Sequence, residues 1–227
     1  MLAGMTGLQI GIFASFIGVG LGAASIVGYV RWRRWQRQLL VWQGFAASRG
    51  WYFMATPGFM YATGTMELKG SHAGRPFSVE TEDRGRGQAF HFVTIVRHAL
   101  GDGFPREVTI RPETAGDKVL KLFGVKDEEL GDASLDAVLD LKNVTPQARA
   151  VLLGADLRRP LLNVARTFET FTIEDGVLTA EVPHVPRTTI ELYGLLTPVR
   201  ELAEAIRGAS GHTVERAKRE GQEGATP

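Results

Sequence analysis

The sequence predicts an α+β fold: a single N-terminal transmembrane helix, then one cytosolic domain of mostly antiparallel strands with packed helices. Three observations carry that expectation. Leu8 to Val30 holds no charged residue, and Arg31, Arg33, Arg34 and Arg37 follow at once. Alternating apolar and polar runs, bounded by glycine-containing turns, occupy the middle of the chain. An amphipathic helical pattern from Leu192 to Arg207 closes it.

The anchor is argued from length. A hydrocarbon core about 30 Å thick takes roughly 20 helical residues at about 1.5 Å each. The run LQIGIFASFIGVGLGAASIVGYV reaches that length, with Gln9, Ser15, Ser25 and Tyr29 as its polar interruptions. It has no polar face of the kind a soluble surface helix carries. Gly22-Ala23-Ala24 resembles a signal-peptide cleavage site, but no Lys or Arg precedes the span as a signal peptide requires. The positive-inside rule places the short N-terminus outside and the rest in the cytoplasm, at the inner (cytoplasmic) membrane.

Arg31, Trp32, Arg33, Arg34, Trp35 and Arg37 make up the membrane-interface set. Indole rings favour the headgroup level and Arg is drawn to anionic lipid. A plain topology signal explains them more simply than a lipid-specific role. Gly11, Gly18 and Gly22 are the helix-dimerisation candidates. Gly4, Gly11, Gly18 and Ser25 recur every seven residues, and Gly18 with Gly22 makes a GxxxG pair that lets two helices approach closely. The lipid bilayer and a second copy of the span are therefore expected partners.

Composition excludes several classes. Four of the 26 Lys and Arg residues precede Gln38, whereas all 25 Asp and Glu follow it. The domain is thus close to neutral and slightly acidic, without the basic face a nucleic-acid binder needs. With no cysteine there is no disulfide, no thiolate chemistry and no Cys-based metal site.

Residues 1–30 read as tail and transmembrane helix, and 31–50 as a juxtamembrane amphipathic helix. Trp35, Leu39, Trp42, Phe45 and Ala46 stripe one side of the latter, and Gly50 ends it. The α+β domain spans 51–207. Met66–Lys69 and Arg75–Glu82 predict a hairpin around residues 70–74, with Phe77, Val79 and Thr81 on one face. Strands follow at Ala89–Leu100 and Val108–Arg111. Helices are expected at Asp117–Phe123 and at Pro146–Leu153, the latter capped by Thr145, with a further turn or two at Pro160–Arg166. Phe168–Glu174 and Val177–Val182 enclose Asp175-Gly176, a strong hairpin signal. From residue 208 to 227 the chain is rich in glycine and charge, so a disordered tail is expected.

Chemistry-bearing residues are scattered. Glu67, Glu80, Glu82 and Asp83 form an acidic strip, which reads as the charged outer side of a hairpin beside Arg84 and Arg86. His72, His91, His98, His184 and His212 lack metal-ligand spacing. Gly18-Val-Gly-Leu-Gly and Gly85-Arg-Gly lack the context of a phosphate loop. Asp127-Glu128-Glu129 with Asp132 lacks the spacing of a calcium loop. Arg158-Arg159-Pro160 and Pro186-Arg187 are candidate anion sites that read more simply as solvated positions at helix starts and loop ends. No catalytic, metal-binding or cofactor-binding residue is assigned, and no cofactor is implied.

Phe123-Gly-Val125, Thr145-Pro146, Arg149-Ala150, Leu152-Leu153 and Phe171-Thr-Ile173-Glu-Asp175-Gly176-Val-Leu178 resemble, in order, a family of uncharacterised bacterial membrane-anchored proteins with a domain of unknown function. The resemblance covers residues 123–182 and implies an apolar N-terminal segment before a cytosolic α+β domain, with no site to carry over. The preferred functional expectation is a membrane-anchored, non-enzymatic cytosolic module that binds a protein or small molecule. The alternatives are an envelope-associated structural protein dimerising through its span, and a hydrolase or transferase using Glu80, Glu82, His91 or His98.

Overall fold

The computed structural model describes residues 7–58, 64–85, 92–101, 104–112 and 130–223, the side chains at 7–21, 23–24 and 210–223 excepted. Helix α1 (Gly7–Ala47) is continuous over 41 residues, roughly 60 Å at 1.5 Å per residue. Residues 1–30 and 31–50 therefore contribute to one helix with no loop between them. Among the described residues no helix is long and apolar enough to cross a membrane. The expected span at Leu8–Val30 lies mostly where the side chains are outside the description. Where side chains are described, Trp35, Trp42, Phe45 and Ala46 are buried, as their spacing requires. The helix closes with Trp51 N–H donating to Ala46 O and Gly50 N–H donating to Ala47 O. Gly50 takes φ 66°, the left-handed residue of a Schellman end.

Eight strands follow: β1 (Tyr52–Thr56), β2 (Thr65–His72), β3 (Arg75–Asp83), β4 (Phe92–Ala99), β5 (Thr109–Pro112), β6 (Leu139–Lys142), β7 (Thr170–Glu174) and β8 (Val177–Val182). They form one sheet in the order β1-β2-β3-β4-β8-β7-β5-β6, with every pairing antiparallel. Register sets the core face. Phe77, Val79 and Thr81 lie opposite His98, Val96 and Thr94, which in turn lie opposite Leu178, Ala180 and Val182. Against that face pack the C-terminal turns of α1, α3 (Pro146–Leu152), α4 (Ala155–Thr167) and α5 (Thr189–Glu223). A short α2 (Ala133–Asp136) precedes β6. The architecture is α+β, as expected.

The differences have local causes. The first hairpin turn is two residues, Ala73 and Gly74 at φ 51° and 77°, so β2 and β3 run into the expected 70–74 loop. The Asp175-Gly176 turn, at φ 52° and 72°, stands where expected. Helix α4 is longer than Pro160–Arg166, because Leu157, Leu161 and Val164 bury one stripe around Pro160. β1, α2 and β6 were not foreseen; each is five residues or fewer. From residue 208, where a disordered tail is expected, α5 continues to Glu223, through Val214–Glu220, a stretch rich in good helix formers. The helix expected at Asp117–Phe123 and the strand positions 89–91 lie outside the described residues.

Candidate functional site

The segment joining β8 to α5 is Pro183-His184-Val185-Pro186-Arg187-Thr188, and two long-range bonds fix its path. Trp42 on α1 donates its Nε1–H to Pro186 O at 3.0 Å, across 144 residues of sequence. Thr94 on β4 donates its hydroxyl to His184 O at 2.7 Å. Each proline locks its own φ and removes a donor, so the segment has few other ways to satisfy its backbone. At the helix start, Thr188 Oγ1 accepts from Glu191 N–H at 3.2 Å, and the Glu191 carboxylate accepts from Arg187 N–H at 2.8 Å. That reciprocal pairing is a variant of the capping box.

So held, the segment faces α1 across a cleft of about 590 Å³. Arg31, Arg34, Arg37 and Gln38 line it from α1 and Arg187 and His184 from the loop, while Trp35, Phe92, Pro183 and Val185 add apolar surface. No Asp or Glu is among these described lining residues. Four guanidinium groups around one cleft raise a positive potential there, which favours an anion.

The expected interface set divides. Arg31, Arg34, Trp35 and Arg37 line the cleft, and Trp35 is only 5% exposed. Trp32 and Arg33 do not line it: Trp32 is 42% exposed, and the Arg33 guanidinium lies 5.8 Å from the Tyr29 ring centroid. A Cβ added at Gly22 would meet nothing within 4 Å; Gly11 and Gly18 fall where side chains are outside the description. Pro186-Arg187, read as a solvated loop end, supplies the opposite wall. Sequence reasoning missed that meeting, since no local pattern joins residues so far apart.

The other candidates do not converge. Glu80 pairs with Arg97, Glu67 with Lys69 at 2.8 Å, and Arg84 with Glu82 at 3.4 Å and Glu181 at 2.7 Å. Hydrogen bonding to Glu67 holds the Lys69 ammonium above its ordinary pKa. The acidic strip is thus a charge-matched outer face. His98 lies on the other side of the sheet, 2% exposed, donating Nδ1–H to Ala99 O at 2.8 Å. Its Nε2 is the buried side-chain polar atom without a partner among the described residues. Burial lowers its pKa, and His72, Arg75 and Arg200 lower it further. His72 Nε2 sits 2.7 Å from Glu204 Oε1. His91 and the acidic residues 127–129 lie outside the described residues. Asp132 caps α2, and hydrogen bonds from Ser134 hold its carboxyl below the usual range. Arg158 is already bonded to Ser134 at 2.9 and 2.7 Å. Among the described residues no group of three or more His, Cys, Asp or Glu is placed to hold a metal ion.

No family model and no curated protein matches this chain, so the resemblance over residues 123–182 stands without a matching family. A similar solved structure is the crystal structure of the mycobacterial trehalose monomycolate transport factor A. It is 14% identical, with a TM-score of 0.45, over 77% of this chain and 94% of that one.

Proposed function

We propose that the chain is a single-pass, membrane-anchored, non-enzymatic binding module whose α+β domain works at the cytoplasmic face of the inner membrane. One observation carries the reading. Ile26, Val27, Tyr29 and Val30 are 66%, 56%, 55% and 41% exposed, on the stretch of α1 just before Arg31. At about 100° per residue these positions fall within one arc of roughly 160°, a broad apolar flank of the helix that the other described residues leave uncovered. A bilayer accepts such a surface and water does not. The guanidinium cluster that follows then stays on the cytoplasmic side.

Topology is tested by fusing to the C-terminus either a reporter that is fluorescent only in the cytoplasm or a phosphatase active only outside it. The fluorescent fusion is expected to be bright and retained in the membrane fraction. Phosphatase activity, or a fluorescent fusion released without detergent, overturns the reading. The GxxxG spacing of Gly18 and Gly22 supports a second reading, in which the anchor also dimerises through Gly11, Gly18 and Gly22. Chemical crosslinking in membranes then yields a dimer that Gly18→Leu and Gly22→Leu abolish.

A further inference from the structure

We propose that the cleft between α1 and the 183–188 segment binds the phosphate of an anionic phospholipid headgroup. The proposal rests on reading α1 as the membrane anchor. Its first support is that the cleft has two walls. A topology signal needs only the Arg residues beside the span, yet here Arg187, on the segment that follows β8, lines the same cleft as Arg34 and Arg37. The segment carrying it is pinned through Pro186 O and His184 O, so Arg187 is presented from a fixed backbone. Guanidinium forks match phosphate oxygens in paired hydrogen bonds, and two opposed walls make a clamp.

Position supplies the second support. Arg31 directly follows the last residue of the apolar run, and Gln38 lies seven residues beyond. At 1.5 Å per residue the α1 wall of the cleft covers roughly 10 Å. The headgroup layer on each side of a bilayer is about 5–7 Å deep, so a lipid phosphate falls level with Arg31 and Arg34. Tyr29 and Val30, exposed on the turn of α1 just before Arg31, leave apolar surface on the bilayer side of the cleft for the glycerol and the first acyl carbons. A soluble phosphate offers the same anion but gains nothing from that surface or that depth.

The full chain, purified in a neutral detergent, is titrated with short-chain phosphatidylglycerol, short-chain phosphatidylcholine and inorganic phosphate. Tryptophan fluorescence is the readout, since Trp35 lines the cleft and Trp42 holds the loop. Saturable binding of phosphatidylglycerol is expected, with phosphatidylcholine and inorganic phosphate far weaker. Arg34→Gln and Arg187→Gln each weaken it roughly tenfold, the loss of a charge-assisted hydrogen bond to the phosphate. Arg33→Gln removes the same charge outside the cleft and changes binding less than about twofold. Both Arg34 and Arg187 are exposed, so neither substitution threatens folding.

Equal losses in Arg33→Gln and Arg187→Gln would reduce the effect to a diffuse positive field and overturn the proposal. Inorganic phosphate binding as tightly as the lipid would overturn it too, as would an absence of saturation. Membrane retention of the same protein separates the two readings. A chain released from membranes without detergent refutes the anchor, whereas a retained chain that shows no saturable lipid binding refutes the cleft alone.

Discussion

Ala73 holds φ 51° in a two-residue turn whose mirror-image geometry suits Asn and Gly. An L-residue with a Cβ pays roughly 1 kcal/mol there. Ala73→Asn is therefore expected to stabilise the chain by about 0.5–1 kcal/mol, read as a raised urea midpoint with an unchanged slope. A lowered midpoint would refute the argument. His98 acts in the opposite sense. Burial depresses its pKa, so the unfolded chain binds the imidazole proton more readily than the folded one. Above about pH 6.5 both states are neutral at this position and it adds no pH dependence. Below that value the folded state loses ground as the unfolded chain takes up its proton. Urea midpoints followed from neutral to acid pH should fall more steeply for the native chain than for His98→Leu. Parallel curves would show that His98 is not the titrating group.

At the scale of elements, β2 depends on a missing side chain. A Cβ at Gly70 would come within 2.6 Å of Trp51 and 2.7 Å of Phe77, whose rings meet edge to face at 4.4 Å. Gly70→Ala should cost about 1–3 kcal/mol by overpacking, seen as a lower Tm. An unchanged Tm would mean that the rings move apart freely. Elements with local instructions were legible in the sequence: the Asp175-Gly176 hairpin, Thr145 capping α3, and the apolar stripe from Trp35 to Ala46. Elements fixed by distant partners were not. β6 carries the charged Asp140 in a four-residue strand, and its ion pair with Arg111 on β5 explains how a carboxylate at 2% exposure is tolerated there. The candidate site divides the same way. Its α1 wall was read from the Arg run, whereas the opposite wall exists only after β8 has paired with β4.

For the whole molecule, α1 has two unequal parts. Core packing begins at Trp35, and the described side chains before it are largely exposed. Deleting residues 1–30 should leave the thermal unfolding of the domain nearly unchanged and release it from membranes without detergent. Deleting residues 1–47 removes Trp42 and Phe45, each a loss of about 3–5 kcal/mol, and should leave no cooperative transition by circular dichroism. A cooperative melt of that shorter chain would show the core complete without α1. The union of both parts in one helix has a mechanical result. A domain on a slack tether points in any direction, while one welded to a rod keeps a single heading. With α1 as the proposed anchor, a change in bilayer thickness would tip such a rod. The sheet would tip with it, and β6, at the edge opposite β1, would move with the whole domain.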